Sequence, residues 1–217
     1  MVCEAAAQTA LEMMCENYAN PSSMHSMGMR AEKALKLARS RIAGALGVDV
    51  GGIYFTSGGT EADNLAIFGA AAAGKKRGNT LITSKMEHPA VLGAFAALEQ
   101  QGFQVEYVDV LPDGVLDLES LWRKLSSDVI FVSIMHVNNE TGTVQPIEEI
   151  AAMVREKAPG ALFHSDMVQS FCKIDCTAAV RSVDLASISG HKIHAPKGTG
   201  ALYVRPGVHI QPRQFGG

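Results

Sequence analysis

Val183-Asp-Leu-Ala-Ser-Ile-Ser-Gly-His-Lys192 decides how this chain is read. Its first part, Val183 to Ile188, is a short apolar run of the kind that forms a buried strand. Its second part, Ser189-Gly190-His191-Lys192, ends that strand in a hydroxyl, a glycine, an imidazole and an amine. Just upstream, Ala161 to His164 reads as another short strand, followed by Ser165-Asp166-Met167-Val168-Gln169. One strand therefore runs into a carboxylate and the next into a lysine. Neighbouring parallel strands would bring both charges to one edge of a sheet.

The rest of the chain supports such a sheet. Ala31, Ala34, Leu35, Ala38, Ile42, Ala45 and Leu46 follow a helical period and predict one long amphipathic helix stopped near Gly47. Gly52-Ile-Tyr-Phe55 reads as a strand ending in Thr56-Ser-Gly-Gly-Thr60, with a helix from about residue 60 to 73. Leu81-Ile-Thr83 and Val105 to Val110 read as strands, with a helix over 89–101 between them. Pro112-Asp-Gly114 is a turn, and Asp117 is placed to cap a short helix. Val129 to Val137 is a nearly unbroken apolar run, as in a strand covered on both faces. Pro146 starts another helix, and Gly200 to Val204 is the last strand. Strands alternate with helices, which predicts an α/β fold with a mostly parallel sheet flanked by helices.

Composition narrows the class. The 217 residues are 47% hydrophobic, enough for a full core, and the net charge of -3 points to no nucleic acid and no anionic membrane surface. No stretch approaches the roughly 18 apolar residues of a membrane span. Met1-Val-Cys-Glu4 lacks the pattern of a signal peptide, so Cys3, Cys15, Cys172 and Cys176 are read as reduced thiols in the cytoplasm. Cys172 and Cys176 form a C-x3-C pair without a second pair at zinc spacing, so no metal site is expected.

Ligands of such sheets bind beyond the carboxyl ends of the strands. Ser57 to Thr60, Glu87-His88, Asn138-Asn139, Asp166, Gln169 and Ser189 to Lys192 all fall there. The Ser57-Gly-Gly-Thr60 turn can bring backbone N–H groups and a helix N-terminus to a phosphate. Alone it would suit any α/β protein. Asp166 can pair with a protonated pyridine nitrogen, and Gln169 can hydrogen-bond a phenolic oxygen. An imidazole at His88 can stack on an aromatic ring, whereas His136, inside an apolar run, reads as structural. Lys192 follows a buried strand, where partial desolvation and neighbouring positive charge would make it a nucleophile and base. Lys197 competes for that role but sits in a Pro/Gly turn. The set suits pyridoxal 5'-phosphate (PLP) held as a Schiff base.

These motifs, in this order, closely resemble the cysteine desulfurases, the NifS/IscS-like branch of the class V aminotransferases. The matching stretches are Asn20-Pro-Ser-Ser-Met-His25, Phe55-Thr-Ser-Gly-Gly-Thr-Glu-Ala-Asp-Asn64, Glu87-His88, Met135-His-Val-Asn-Asn-Glu-Thr-Gly142, His164-Ser-Asp-Met-Val-Gln169 and Ser189-Gly-His-Lys-Ile-His-Ala-Pro-Lys-Gly198. The resemblance implies a fold-type I PLP transferase, with residues 1–217 as its large domain, incomplete at both ends, and the small domain largely missing. It implies that Lys192 forms the Schiff base, Asp166 meets the pyridine nitrogen, Gln169 the phenolic oxygen, and His88 the ring face. Gly59, Thr60, Ser189 and His191 would hold the phosphate, with Asn139 beside cofactor and substrate.

In this family Lys192 would move the α-proton of L-cysteine, and a loop thiol would take the sulfur, leaving L-alanine. None of the four cysteines occupies that thiol's place, and Cys172 stands where the family usually has glycine. Sulfur transfer by these residues alone is therefore not expected. A homodimer and an iron–sulfur scaffold or sulfur-acceptor protein are the implied partners. Selenocysteine lyases, other class V aminotransferases and a non-catalytic remnant of the fold are the alternative readings.

Overall fold

The computed structural model describes residues 1–216, built around one seven-stranded sheet. In chain order the strands are β1 (Ile53–Thr56), β2 (Thr80–Ser84), β3 (Gln104–Val108), β4 (Val129–Ser133), β5 (Leu162–Asp166), β6 (Leu185–Ser189) and β7 (Gly200–Val204). Across the sheet they lie β1-β7-β6-β5-β4-β2-β3. All pairings from β6 to β3 are parallel. β7 runs antiparallel to both its neighbours, β1 and β6. The link between β6 and β7, residues 190–199, contains only a short 3-10 turn, too little chain for a parallel crossover.

Seven helices accompany the sheet: α1 (Glu4–Cys15), α2 (Ser26–Leu46), α3 (Gly59–Gly74), α4 (Pro89–Gln100), α5 (Leu118–Lys124), α6 (Ile147–Lys157) and α7 (Thr177–Ser182). The strand alternation sends Phe131 and Leu202 into one core with Ala66 and Ile67 of α3 and Phe95 and Leu98 of α4. It sends Val132 and Ile188 into the other, with Leu46, Leu121, Ile150 and Val180. β2, β4 and β6 are buried along their whole length, which is why they carry no charged residue and only apolar side chains or small hydroxyls. No helix of the described residues is long and apolar enough to cross a membrane.

Most expected elements are present, with informative shifts. α2 ends at Gly47, whose φ of 68° puts it in the left-handed region, with its N–H bonded back to Ala43 and Gly44. Its apolar stripe is covered only in part: Ala31, Ala43 and Leu46 are buried, whereas Leu35 is exposed. α1 has no buried residue at all, and Leu11 and Met14 stand exposed on it. Asp117 caps α5, accepting from the Ser120 N–H at 2.9 Å. β3 stops at Val108, short of the expected Val110, which instead bridges Leu116 across the turn at Gly114. β4 stops at Ser133 although the apolar run continues to Val137. Ile134, Met135 and His136 stay buried, and the Ile134 and His136 N–H groups still donate to His164 O and Asp166 O of β5 at 3.1 and 3.0 Å, so the apolar run follows the β5 contact past the regular strand.

Cys172 has φ 57°, in the left-handed region that penalises a side chain. That accounts physically for glycine at this place in the resembled family. Cys172→Gly is expected to raise stability by about 1 kcal/mol, seen as a higher urea midpoint. A lower midpoint would mean that thiol packing outweighs the strain.

Candidate functional site

The carboxyl ends of β1, β2, β4, β5 and β6 deliver the candidate residues to one edge of the sheet. An inner cavity of about 70 Å3 there is lined by Gly59, Thr60, Asp63, His88, Met135, Asn139, Asp166, Val168, Gln169, Ser189 and His191. An outer cleft of about 320 Å3 shares Gly59, Thr60, Ser189 and His191 with it and adds Lys197. The fold has thus brought together eight of the nine predicted site residues. The larger cavity of about 540 Å3, lined by residues such as Tyr54, Phe68 and Ile210, holds none of them.

The cradle begins where β1 passes into α3. Thr56 Oγ1 donates to Gly58 O at 3.0 Å, and Glu61 accepts the Ser57 N–H at 2.6 Å, which together fix the turn. The first turn of α3 then directs its N–H groups and positive dipole end at the cleft. A Cβ on Gly59 would lie 2.8 Å from Val168 Cγ2, so the close approach of the α3 start to the loop after β5 requires glycine. From the opposite wall, Ser189 Oγ and His191 Nδ1 are 2.8 Å apart. Slight burial, then the charges of Lys192, Lys197 and Lys173, lower the His191 pKa. These donors and cations suit a phosphate.

Asp166 closes the inner end. It is 5% exposed and accepts from the Val168 N–H at 2.9 Å. Burial raises its pKa, while that N–H, His88 and Lys192 favour its charge. Two further buried carboxyls surround it. Asp63, from α3, has an Oδ1 without a hydrogen-bond partner, and burial and the Asp166 charge raise its pKa well above the carboxylate range. Asp166 has the backbone donor and the nearby cations, and Asp63 is the more strongly raised, so of the two the site favours the charged form of Asp166. Asp63 Oδ1 lies 3.7 Å from His164 Nε2, but this is not an ion pair. His164 is fully buried and its pKa falls to about 3, so the ring is neutral, held by Ser133 and Ser187 at 2.8 and 2.9 Å. Glu87 is the third acid, pushed up to about 8 by burial. A single anion at the edge of an apolar cavity fits a protonated ring nitrogen.

The remaining candidates take their places with corrections. His88 both lines the cavity and caps α4, its Nδ1 accepting the Ala90 N–H at 3.1 Å. Asn139 lines the cavity because buried Asn138 organises its turn: Asn138 Oδ1 accepts from the N–H groups of Glu140 and Thr141, and Nδ2 donates to Met86 O. Lys192 differs most from expectation. It is exposed, in a 3-10 turn, and lines neither cavity, so burial supplies none of the desolvation expected for it. Its charge does act on Asp166, His191 and Lys173. Sequence reasoning passed over Asp63, because a carboxylate inside a helix start reads as a surface group. It also treated Glu87 only as the neighbour of His88. No cysteine lines either cavity.

A helix start, a pair of hydroxyl and imidazole groups and a buried carboxyl meeting at one sheet edge form an arrangement able to hold a phosphorylated cofactor. The family model described as "Aminotransferase class-V" matches residues 1–217, and the chain belongs to that family. It is 47% identical over 210 residues to a cysteine desulfurase of Nostoc sp. (strain PCC 7120), covering 97% of this chain and 52% of that protein. It is 44% identical over 207 residues to the cysteine desulfurase IscS of Clostridium botulinum (strain Hall), covering 95% and 52%. Among solved structures, a "NIFS-LIKE PROTEIN" superposes with TM-score 0.96 at 41% identity, covering 100% of this chain and 59% of that one. A second, "SspA in complex with cysteine", gives TM-score 0.93 at 38% identity, covering 100% and 62%. The chain spans about half the length of the curated relatives it matches.

Proposed function

We propose that these residues form the large, cofactor-holding domain of a PLP-dependent cysteine desulfurase, which turns L-cysteine into L-alanine and passes on the sulfur. The observation that carries this reading is Asp166, a buried carboxyl at the inner end of a cavity that opens onto the start of α3, Ser189 and His191. In this assignment Lys192 would hold PLP covalently through its amine, and Asp166 would hold the ring nitrogen. His88 would lie against the ring, and Gln169 would donate to its phenolic oxygen. Gly59, Thr60, Ser189 and His191 would take the phosphate, and Asn139 would stand beside the amino acid. When bound, PLP supplies an electron sink that makes the α-proton of an amino acid acidic.

The chain's own part in the chemistry follows from its charges. Lys192, exposed in its 3-10 turn, would give and take a proton at the α-carbon once its amine is free. Asp166 would hold the ring nitrogen in its protonated form, because a charged carboxylate buried there gains from a paired N–H. Asp63, the more strongly raised of the two, would add no second charge there. The sulfur leaves to a thiol, and the four cysteines of this chain lie outside the cavity, so the acceptor thiol belongs to another segment or partner. The relatives named as cysteine desulfurases support L-cysteine as substrate. Exposed Leu11, Met14, Met29 and Leu35 on α1 and α2 support a homodimer, and four free thiols support the cytoplasm. A sulfur-acceptor or iron–sulfur scaffold protein completes the reading.

The test has two parts. PLP should give the chain a saturable visible band, and Asp166→Ala should weaken its affinity at least about tenfold by equilibrium dialysis. The band should change on adding L-cysteine, with little sulfide released by these residues alone. Unaltered affinity in Asp166→Ala would remove the pairing with the ring nitrogen, and rapid sulfide release would place the acceptor thiol within this chain.

A further inference from the structure

Gln169 and Lys173 stand four residues apart in the turns after β5, and Lys173 Nζ lies 2.7 Å from Gln169 Oε1. An ammonium has three donors and no acceptor, so it is the amide oxygen that faces it. The amide nitrogen is left for the other side, and Gln169 lines the inner cavity. Without Lys173 a glutamine there could turn over and present its oxygen instead. With Lys173 in place, turning over would set donor against donor and forfeit a charge-assisted bond. Lys173 also belongs electrostatically to the site. Burial and the Lys192 charge lower its pKa, and it is one of the cations acting on His191.

We propose that Lys173 is a positioning residue, which locks the Gln169 amide with its N–H donors toward the cavity so that the cofactor's phenolic oxygen meets a donor. The inference rests on the PLP reading above. A phenolate oxygen gains from a donor and is repelled by a carbonyl, so the choice of amide face alters both affinity and the colour of the bound cofactor. Arginine in place of Lys173 can still donate to Oε1, whereas methionine keeps the length and loses the donors.

The experiment is a double-mutant cycle on the full chain, with PLP as probe and affinity and visible maximum as readouts. Lys173→Met should weaken PLP binding roughly fivefold to tenfold and shift the visible maximum. Lys173→Arg should restore both to within about twofold. In a Gln169→Ala background, Lys173→Met should change affinity by less than about twofold. Melting curves without PLP should coincide for all the variants, which separates positioning from folding. The proposal is overturned if Lys173→Met matches wild type, or if it costs as much without Gln169 as with it. A wild-type chain that takes up no PLP removes the cofactor reading and this inference together. Wild-type loading with an indifferent Lys173 removes this inference alone.

Discussion

Glu87→Gln is expected to be more stable than the wild-type protein above pH 8, by up to about 5 kcal/mol, and to lose this advantage below about pH 4.5. Glu87 sits 5% exposed at the end of β2. Its Oε1 accepts from Ser84 Oγ at 2.5 Å and from the Met135 N–H at 3.0 Å, while Oε2 has no partner. Burial is the first cause of its raised pKa, and those two bonds only partly offset it.

The folded value of about 8 lies above the ordinary 4.5, so between these pH values the folded state holds a proton that the unfolded chain has released. Stability from this group is fully present below 4.5 and lost as pH rises through about 8. At about 1.4 kcal/mol per pH unit, the interval sets the ceiling. Glutamine keeps the accepting oxygen and has no charge to bury. Neutral His164 acts in the opposite sense, losing stability as pH falls from 6.5 toward 3, but it is common to both proteins and cancels in the difference. Urea unfolding of both proteins from pH 5 to 9 measures the gap. A gap that stays flat across that range would show that Glu87 does not change its proton on folding.

Lys192→Ala should eliminate the covalent PLP adduct that borohydride fixes in the wild-type chain, with peptide mass mapping as the readout. Three lysines stand near the cleft, and the structure separates them. Lys173 is engaged by Gln169. Lys197 lines the outer cleft together with Gly59, Thr60, Ser189 and His191. Lys192 is the one whose charge acts directly on Asp166, the group expected to meet the ring. Lys197→Ala should therefore keep the adduct, and only its affinity for the phosphate should fall. A label that persists in Lys192→Ala and moves to Lys197 or Lys173 would reassign the covalent role.

Much of this was legible in the amino-acid order, for identifiable reasons. Strands buried on both faces, such as Val129 to Ser133 and Leu185 to Ser189, hold only apolar residues and small hydroxyls that find a partner, and glycine or proline marks where the chain turns. The candidate residues could be found because each follows such a strand directly. Boundaries were less legible, since the apolar signature runs past the regular strand wherever the chain stays buried, as at Ile134 and Met135. The raised pKa values of Asp63 and Glu87 were not legible at all. Desolvation comes first in both, and the Asp166 charge raises both across elements far apart in sequence. Nor was the exposure of Lys192, because a lysine after a buried strand can turn either inward or outward.

The order of residues alone thus settled the α/β class, the strands and the edge of the sheet that carries the chemistry. These depend on local period and on the direction of the chain leaving each strand. Which strand runs reversed, how far burial raises three clustered acids, and which cation the Gln169 amide oxygen meets were decided only by the tertiary structure. Each depends on partners between four and about a hundred residues away, and electrostatics in a dry interior responds to distance in space rather than in sequence.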